Sequence, residues 1–154
     1  MIDAVSLKIL KILQEKARIP NVEVARQVGM APSAVLERIR KLEKQGFIDG
    51  YEVRLNPKRF AKSLVAFVRV KINKLGDEKK VGQKLSRIQQ IQEVHYVAGE
   101  DAFLVKIRAA DTEDLGRLTR DKIAAIAAVQ STQTAIALST YKETARIPIE
   151  IVSA

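Results

Sequence analysis

The sequence predicts an α+β chain, with a helical front broken by a tight turn and a rear β-α-β-β-α-β sheet of ferredoxin-like type. Three observations predict it. From Asn21 to Gly46 apolar residues recur at helical spacing on either side of a break at Gly29-Met30-Ala31. From Leu64 to Ile72 runs a β-branched, partly alternating stretch. Beyond it, two helical patterns and three further strand patterns alternate in the order that a split βαβ sheet requires.

The first helix is expected from Asp3 to about Glu15, with Val5, Ile9, Ile12 and Leu13 inward and Asp3 as N-cap or first-turn acid. Leu7 falls off that stripe, either as an ordinary exposed leucine or as a contact for a partner chain. Pro20 stops the first helix, and Asn21 is the expected cap of the second, whose apolar face carries Val22, Val24, Ala25 and Val28. Gly29 ends that helix at low cost, and Pro32 suits the first position of the third.

The third helix repeats apolar residues at Val35, Ile39 and Leu42. With that stripe inward, Ser33, Leu36, Glu37, Arg40, Lys41 and Lys44 turn outward. This is the pattern of a helix-turn-helix whose second helix enters the DNA major groove, and also that of a helical hairpin with a solvated face. Glycine-punctuated β-rich residues follow from Gly46 to Val53, as in a wing, with Phe47 and Ile48 expected to fill the end of the three-helix core. On this reading Ala34, Ser33, Leu36, Glu37 and Arg40 face the groove, with Arg40 suited to guanine, Glu37 to cytosine and Leu36 to a thymine methyl. Arg38, Lys41 and Lys44 would mainly meet phosphates, with Arg54, Lys58 and Arg59 near a neighbouring one or simply solvated.

Charge agrees with a polyanionic partner. The 154 residues carry 27 basic and 18 acidic side chains, a formal +9, which favours nucleic acid first and an acidic membrane surface second. Residues 1–60 hold 12 basic and 7 acidic residues (+5), and residues 61–154 hold 15 and 11 (+4), so both halves are positive. There is no cysteine, which excludes disulfides and cysteine-ligated metals; no metal site is expected. No secretory signal is visible, and the uncharged run from Ile123 to Tyr141 holds too many polar groups to span a bilayer. The default is a cytoplasmic protein without a membrane partner.

Asn56-Pro57 marks the expected domain boundary, giving a front domain at 1–54, a linker at 55–63 and a rear domain at 64–154. In the rear, the expected elements are a strand Leu64–Ile72, a helix Glu78–Ile88 with Val81, Leu85 and Ile88 inward, and strands Val94–Ala98 and Phe103–Ala109. A helix from Asp111 to about Ala127, a strand Ser131–Lys142 and an edge piece at Ile147–Ile151 complete the series. Both alternate series of the first strand are apolar, Val65 and Phe67 as well as Ala66, Val68 and Val70, so both sheet faces need cover. A second copy of the chain is the simplest cover for the face without helices.

With these elements in place, the residues resemble the Lrp/AsnC (feast/famine) family of transcription regulators over nearly the whole chain. The likeness rests on Ile9-Leu10, Leu13-Gln14-Glu15, Ala17-Arg18, Val24-Ala25, Val28-Gly29, the run Pro32 to Ile39, Leu42-Glu43 and Gly46-Phe47-Ile48. Downstream it rests on Asn56-Pro57, Phe67-Val68, Glu93-Val94, Gly99-Glu100-Asp101 and Thr132-x-Thr134. The resemblance implies winged-helix reading of double-stranded DNA and a ferredoxin-like domain of the RAM/ACT-like kind. It further implies dimers through that domain, often built into octamers, and a small-molecule effector, an amino acid or related metabolite, in place of any cofactor.

By position the effector loop would be Gly99, Glu100, Asp101 and Ala102, facing Thr132 and Thr134. Loop N–H groups suit a carboxylate, and Glu100 or Asp101 suits an ammonium; a polar turn beside sheet-filling threonines accounts for the same residues. The sequence departs from the family pattern at Ala31, a poor cap, at Ala102, and at Ala127-Ala128.

Two rival functions fit the same chain. One is an enzyme like the sirohaem decarboxylases of the same superfamily, whose Arg-Pro-aromatic motif has Ile19-Pro20-Asn21-Val22 in its place here. No catalytic residue is assigned, and His95, the sole histidine, reads as a structural imidazole lacking an evident carboxylate partner. The other is an architectural, sequence-tolerant DNA compactor, which positive charge in both halves permits.

Overall fold

The computed structural model describes residues 2–73, 76–99 and 103–150. The chain divides into two compact units, residues 1–54 together with 143–154, and residues 55–142. Relative to the expected domains, residues 55–63 go with the rear unit, and the C-terminal stretch from Glu143 joins the front one.

In the front unit, α1 (Ala4–Glu15), α2 (Asn21–Val28) and α3 (Pro32–Lys44) enclose a core of Ile9, Val24, Ala25, Val35, Ile39 and Leu42. Asp3 caps α1 by accepting the Ser6 N–H at 2.7 Å. Gly29 ends α2 in the left-handed region at φ 70° and donates its N–H to the Ala25 carbonyl. Three local expectations are corrected. Pro20 rather than Asn21 occupies the cap of α2, with Asn21 already in the first turn, and no side chain caps it. Val22 is 67% exposed, because a helix of eight residues buries only a narrow stripe, here Val24 and Ala25. The stretch from 46 to 56 forms no hairpin; Ile48 packs on the core, whereas Phe47 is 52% exposed.

The C-terminal stretch reaches α1 instead of forming an edge strand over its described residues. The Gln14 side chain pairs with the Ile147 backbone in both directions, accepting its N–H at 2.8 Å and donating to its carbonyl at 3.1 Å. Arg146 donates to the Glu15 carbonyl at 3.3 Å, satisfying one of the orphan acceptors at the end of α1.

The rear unit opens with a 3₁₀ turn at Pro57–Phe60 and then forms β1 (Leu64–Ile72), α4 (Glu78–Ser86), β2 (Ile91–Tyr96), β3 (Phe103–Ala109), α5 (Thr112–Leu118) and β4 (Val129–Ile136). The sheet order is β2-β3-β1-β4 with every neighbouring pair antiparallel. Ala66, Val68, Val70, Phe103, Val105, Ile107 and Ala109 make the helix-side face, packed against Val81, Leu85, Leu115, Leu118, Ile123 and Ile126. That face follows from the two-residue period of each strand.

Boundaries shift for physical reasons. β2 begins three residues early because Ile91 pairs with Ile107. β4 stops at Ile136 because its partner β1 begins at Leu64, and the last ladder bond runs from the Ala137 N–H to the Val65 carbonyl. α5 ends at Leu118, where Thr119 back-bonds to the Leu115 carbonyl at 2.9 Å and one π turn follows to Ile123.

Candidate nucleic-acid and effector sites

α3 carries its charge where the inward stripe leaves it. Val35, Ile39 and Leu42 are buried, while Ser33, Leu36, Glu37, Arg40, Lys41 and Lys44 are exposed and Ala34 is half-buried. Pro32 at the first position gives this helix its start without a side-chain cap at Ala31. Lys41 and Lys44 in the last turn complement the helix dipole and stay in solvent.

Arg38 stands apart from the other cations. Its guanidinium forms an ion pair with Asp3 and donates to Ser6 Oγ at 3.1 Å, tying α3 to the start of α1. In the absence of DNA its guanidinium is thus engaged with α1 while its side chain stays one-third exposed. The Ser6 N–H and then Arg38 hold the Asp3 carboxyl down at about 2. The two partners lie 35 positions apart in the chain, so no local pattern announced the pair. At the exposed Glu43 of α3, the Tyr51 hydroxyl donates at 2.9 Å, and burial followed by that hydrogen bond pushes the phenol up to about 12.

In the rear unit, Glu100, Asp101 and Ala102 lie outside the described residues. Gly99 sits at φ 126°, a conformation that a side chain would strain. Thr132 and Thr134 occupy β4 opposite Val70 and Val68, and so point to the helix side of the sheet. With Thr112, Leu115, Gly116, Thr119, Arg120 and Ala124 they line an open groove of about 450 Å³. Thr132 and the start of β3 lie at the same sheet end but on strands two places apart, roughly 10 Å at ordinary strand spacing. One rear unit thus does not bring the threonines against the start of β3. The groove neighbours went unread in the sequence, although Thr112, Gly116 and Thr119 follow i, i+4, i+7 spacing and mark one helix face.

The opposite sheet face carries Phe67, Arg69, Leu104, Lys106, Gln133 and Ala135, with Phe67 39% exposed. His95 belongs to this face, and the expectation that it lacks a carboxylate is corrected. Glu93, two residues earlier and so on the same side of β2, lies 3.3 Å from its Nε2 and 2.9 Å from Lys106 Nζ. Lys106 first, then His95, lowers the Glu93 carboxyl. Among the described residues, no helix is long and apolar enough to cross a membrane.

Two family models match the chain: a winged helix-turn-helix DNA-binding model over residues 2–49 and the Lrp/AsnC ligand binding domain over residues 65–147. Leucine-responsive regulatory proteins of Klebsiella pneumoniae and Escherichia coli K12 are each 33% identical over 151 residues, covering 97% of this chain and 92% of theirs. Among solved structures, Escherichia coli AsnC superposes with a TM-score of 0.88 at 26% identity, covering 96% of this chain and 99% of that one. A transcriptional regulator of Neisseria meningitidis, in complex with L-methionine, gives 0.91 at 28% identity, covering 96% and 97%.

Proposed function

This chain belongs to the Lrp/AsnC family of DNA-binding transcription regulators, and we propose that it reads duplex DNA through the outer face of α3. The observation that carries this is the joint exposure of Ser33, Leu36, Glu37, Arg40, Lys41 and Lys44 above a buried Val35-Ile39-Leu42 stripe. Ser33, Ala34, Leu36, Glu37 and Arg40 meet base edges, with Arg40 on guanine; Lys41 and Lys44 hold phosphates. Two copies, joined through the uncovered sheet face around Phe67, present two such helices to a dyad-related site.

The effector is an amino acid, the class bound by the methionine-complexed relative. We place its carboxylate and ammonium at the Gly99-Glu100-Asp101-Ala102 loop. Because Thr132 and Thr134 lie two strands from the start of β3, we assign their share in that site to the loop of another copy. Effector binding then couples assembly to DNA affinity.

Selection of bound duplexes with the native chain and with Arg40→Ala tests the reading. A dyad-symmetric consensus that loses preference at one position per half-site in the variant is expected. Binding without any preferred sequence would replace the site-specific regulator by a compactor. Thermal shifts against the amino acids, with Asp101→Ala as control, test the effector.

A further inference from the structure

α4 carries a stripe of cations that the reading of α3 leaves unused. Lys80, Lys84 and Arg87 follow i, i+4, i+7 spacing, so they line one side of the helix, away from the buried Val81 and Leu85. The stripe is about 10 Å long at the ordinary helix rise, roughly three nucleotides of one DNA strand. All three side chains are exposed. Lys122 adds a fourth charge, held at 3.4 Å from Gln90, three residues beyond Arg87.

The pairing of charges sets α4 apart from α5. On and just after α5, Arg117 lies beside Glu113 and Asp114, and Arg120 pairs with Asp121 at 2.9 Å. Among the described residues, the one acid paired with the α4 stripe is Asp77, 3.8 Å from Lys80, whose side chain is still 80% exposed. Lys84 and Arg87 have no ion-pair partner among the described residues. A row of cations with a single long, exposed ion pair costs self-repulsion and attracts a polyanion.

We propose that Lys80, Lys84 and Arg87, with Lys122 beside them, form a second phosphate-contact surface for duplex DNA flanking the site that α3 reads. The inference rests on α3 being the DNA-reading helix. Once the α3 helices are seated, the flanking duplex is tethered at high local concentration, so contacts too weak to bind alone become occupied. They add affinity and salt sensitivity without adding sequence preference.

The test measures affinity across a salt series for two duplexes: the minimal footprinted site, and that site extended by about two helical turns on each side. The native chain is expected to show a steeper dependence on the longer duplex, by ~0.9 in log–log slope for each further phosphate neutralised. The K80Q/K84Q/R87Q variant should lose most of that increment, keeping at most the share of Lys122, and keep the native slope on the short duplex. R117Q, which removes a paired cation, should keep the increment.

A native slope that is equal on both duplexes would overturn the proposal, as would a triple variant that weakens both equally. So would loss of binding to anionic phospholipid vesicles in the triple variant with no change on long DNA, which would assign the stripe to a membrane surface. Failure of the native chain to prefer the short site at all would instead remove the premise about α3.

Discussion

Leu42→Ala and Arg40→Ala, two positions apart on α3, should fail in opposite ways. Leu42 is 3% exposed and packs among Ile9, Val24, Val35 and Ile39. Truncation to alanine removes three carbons, about 2.4 kcal/mol of transfer energy at 0.8 per methylene, and the unfilled cavity raises the loss to about 3–4 kcal/mol. A head of this size has a total stability of only about 3–8 kcal/mol at 0.05–0.15 per residue. The variant head should therefore unfold at much lower urea while the sheet unit, with its separate core, keeps its transition. Arg40 is exposed, so Arg40→Ala should shift stability by no more than about 0.5 kcal/mol. Its loss belongs to binding, about 1–3 kcal/mol or roughly 5- to 150-fold if it pairs with guanine. Amide-resolved urea titration and anisotropy on the selected duplex separate the two. Equal destabilisation by both substitutions, or a Leu42→Ala head as stable as the native one, would mean that α3 is turned the other way.

Asp3 has its carboxyl lowered to about 2 from 3.8 by the Ser6 N–H and Arg38, so the charged form favours the folded head. That contribution is complete above about pH 4 and lost as pH falls toward 2; NMR acid titration of the native head should show it, and Asp3→Asn should not. Tyr51 is shifted the other way, from 10.0 to about 12, so its neutral form favours the fold, and its contribution is complete below pH 10 and falls as pH rises toward 12. Phenolate absorbance should show a late-titrating component that Tyr51→Phe removes. Ending the chain at Lys142 should lower protection of the α1 C-terminal amides, because the Gln14–Ile147 pair and the Arg146 contact go with it, while β1 and β3 exchange as before.

What was legible in the sequence divides along the range of the interactions. Periodicity reports which side of an element is apolar, and it placed Val35, Ile39 and Leu42 inside α3 and the β1 and β3 faces in the sheet core. Capping chemistry is equally local, as at Asp3 and Asp111, whose side chain accepts the Asp114 N–H at 2.7 Å. Arg38 shows where this ends: its neighbours on α3 make it one of a row of basic residues, and only the return of α1 makes it the partner of Asp3. The end of β4 depends likewise on where β1 begins, a register that no single segment contains. Thr132 and Thr134 add a third case. Their alternation assigns them a face, yet the groove they join is finished by Thr112, Gly116 and Thr119 from α5 and the turn after it. A site shared among separate elements is written as several weak patterns whose meeting depends on topology. That is why the α3 face could be read from one helix, while the effector site has to be tested through substitutions on both the loop and β4.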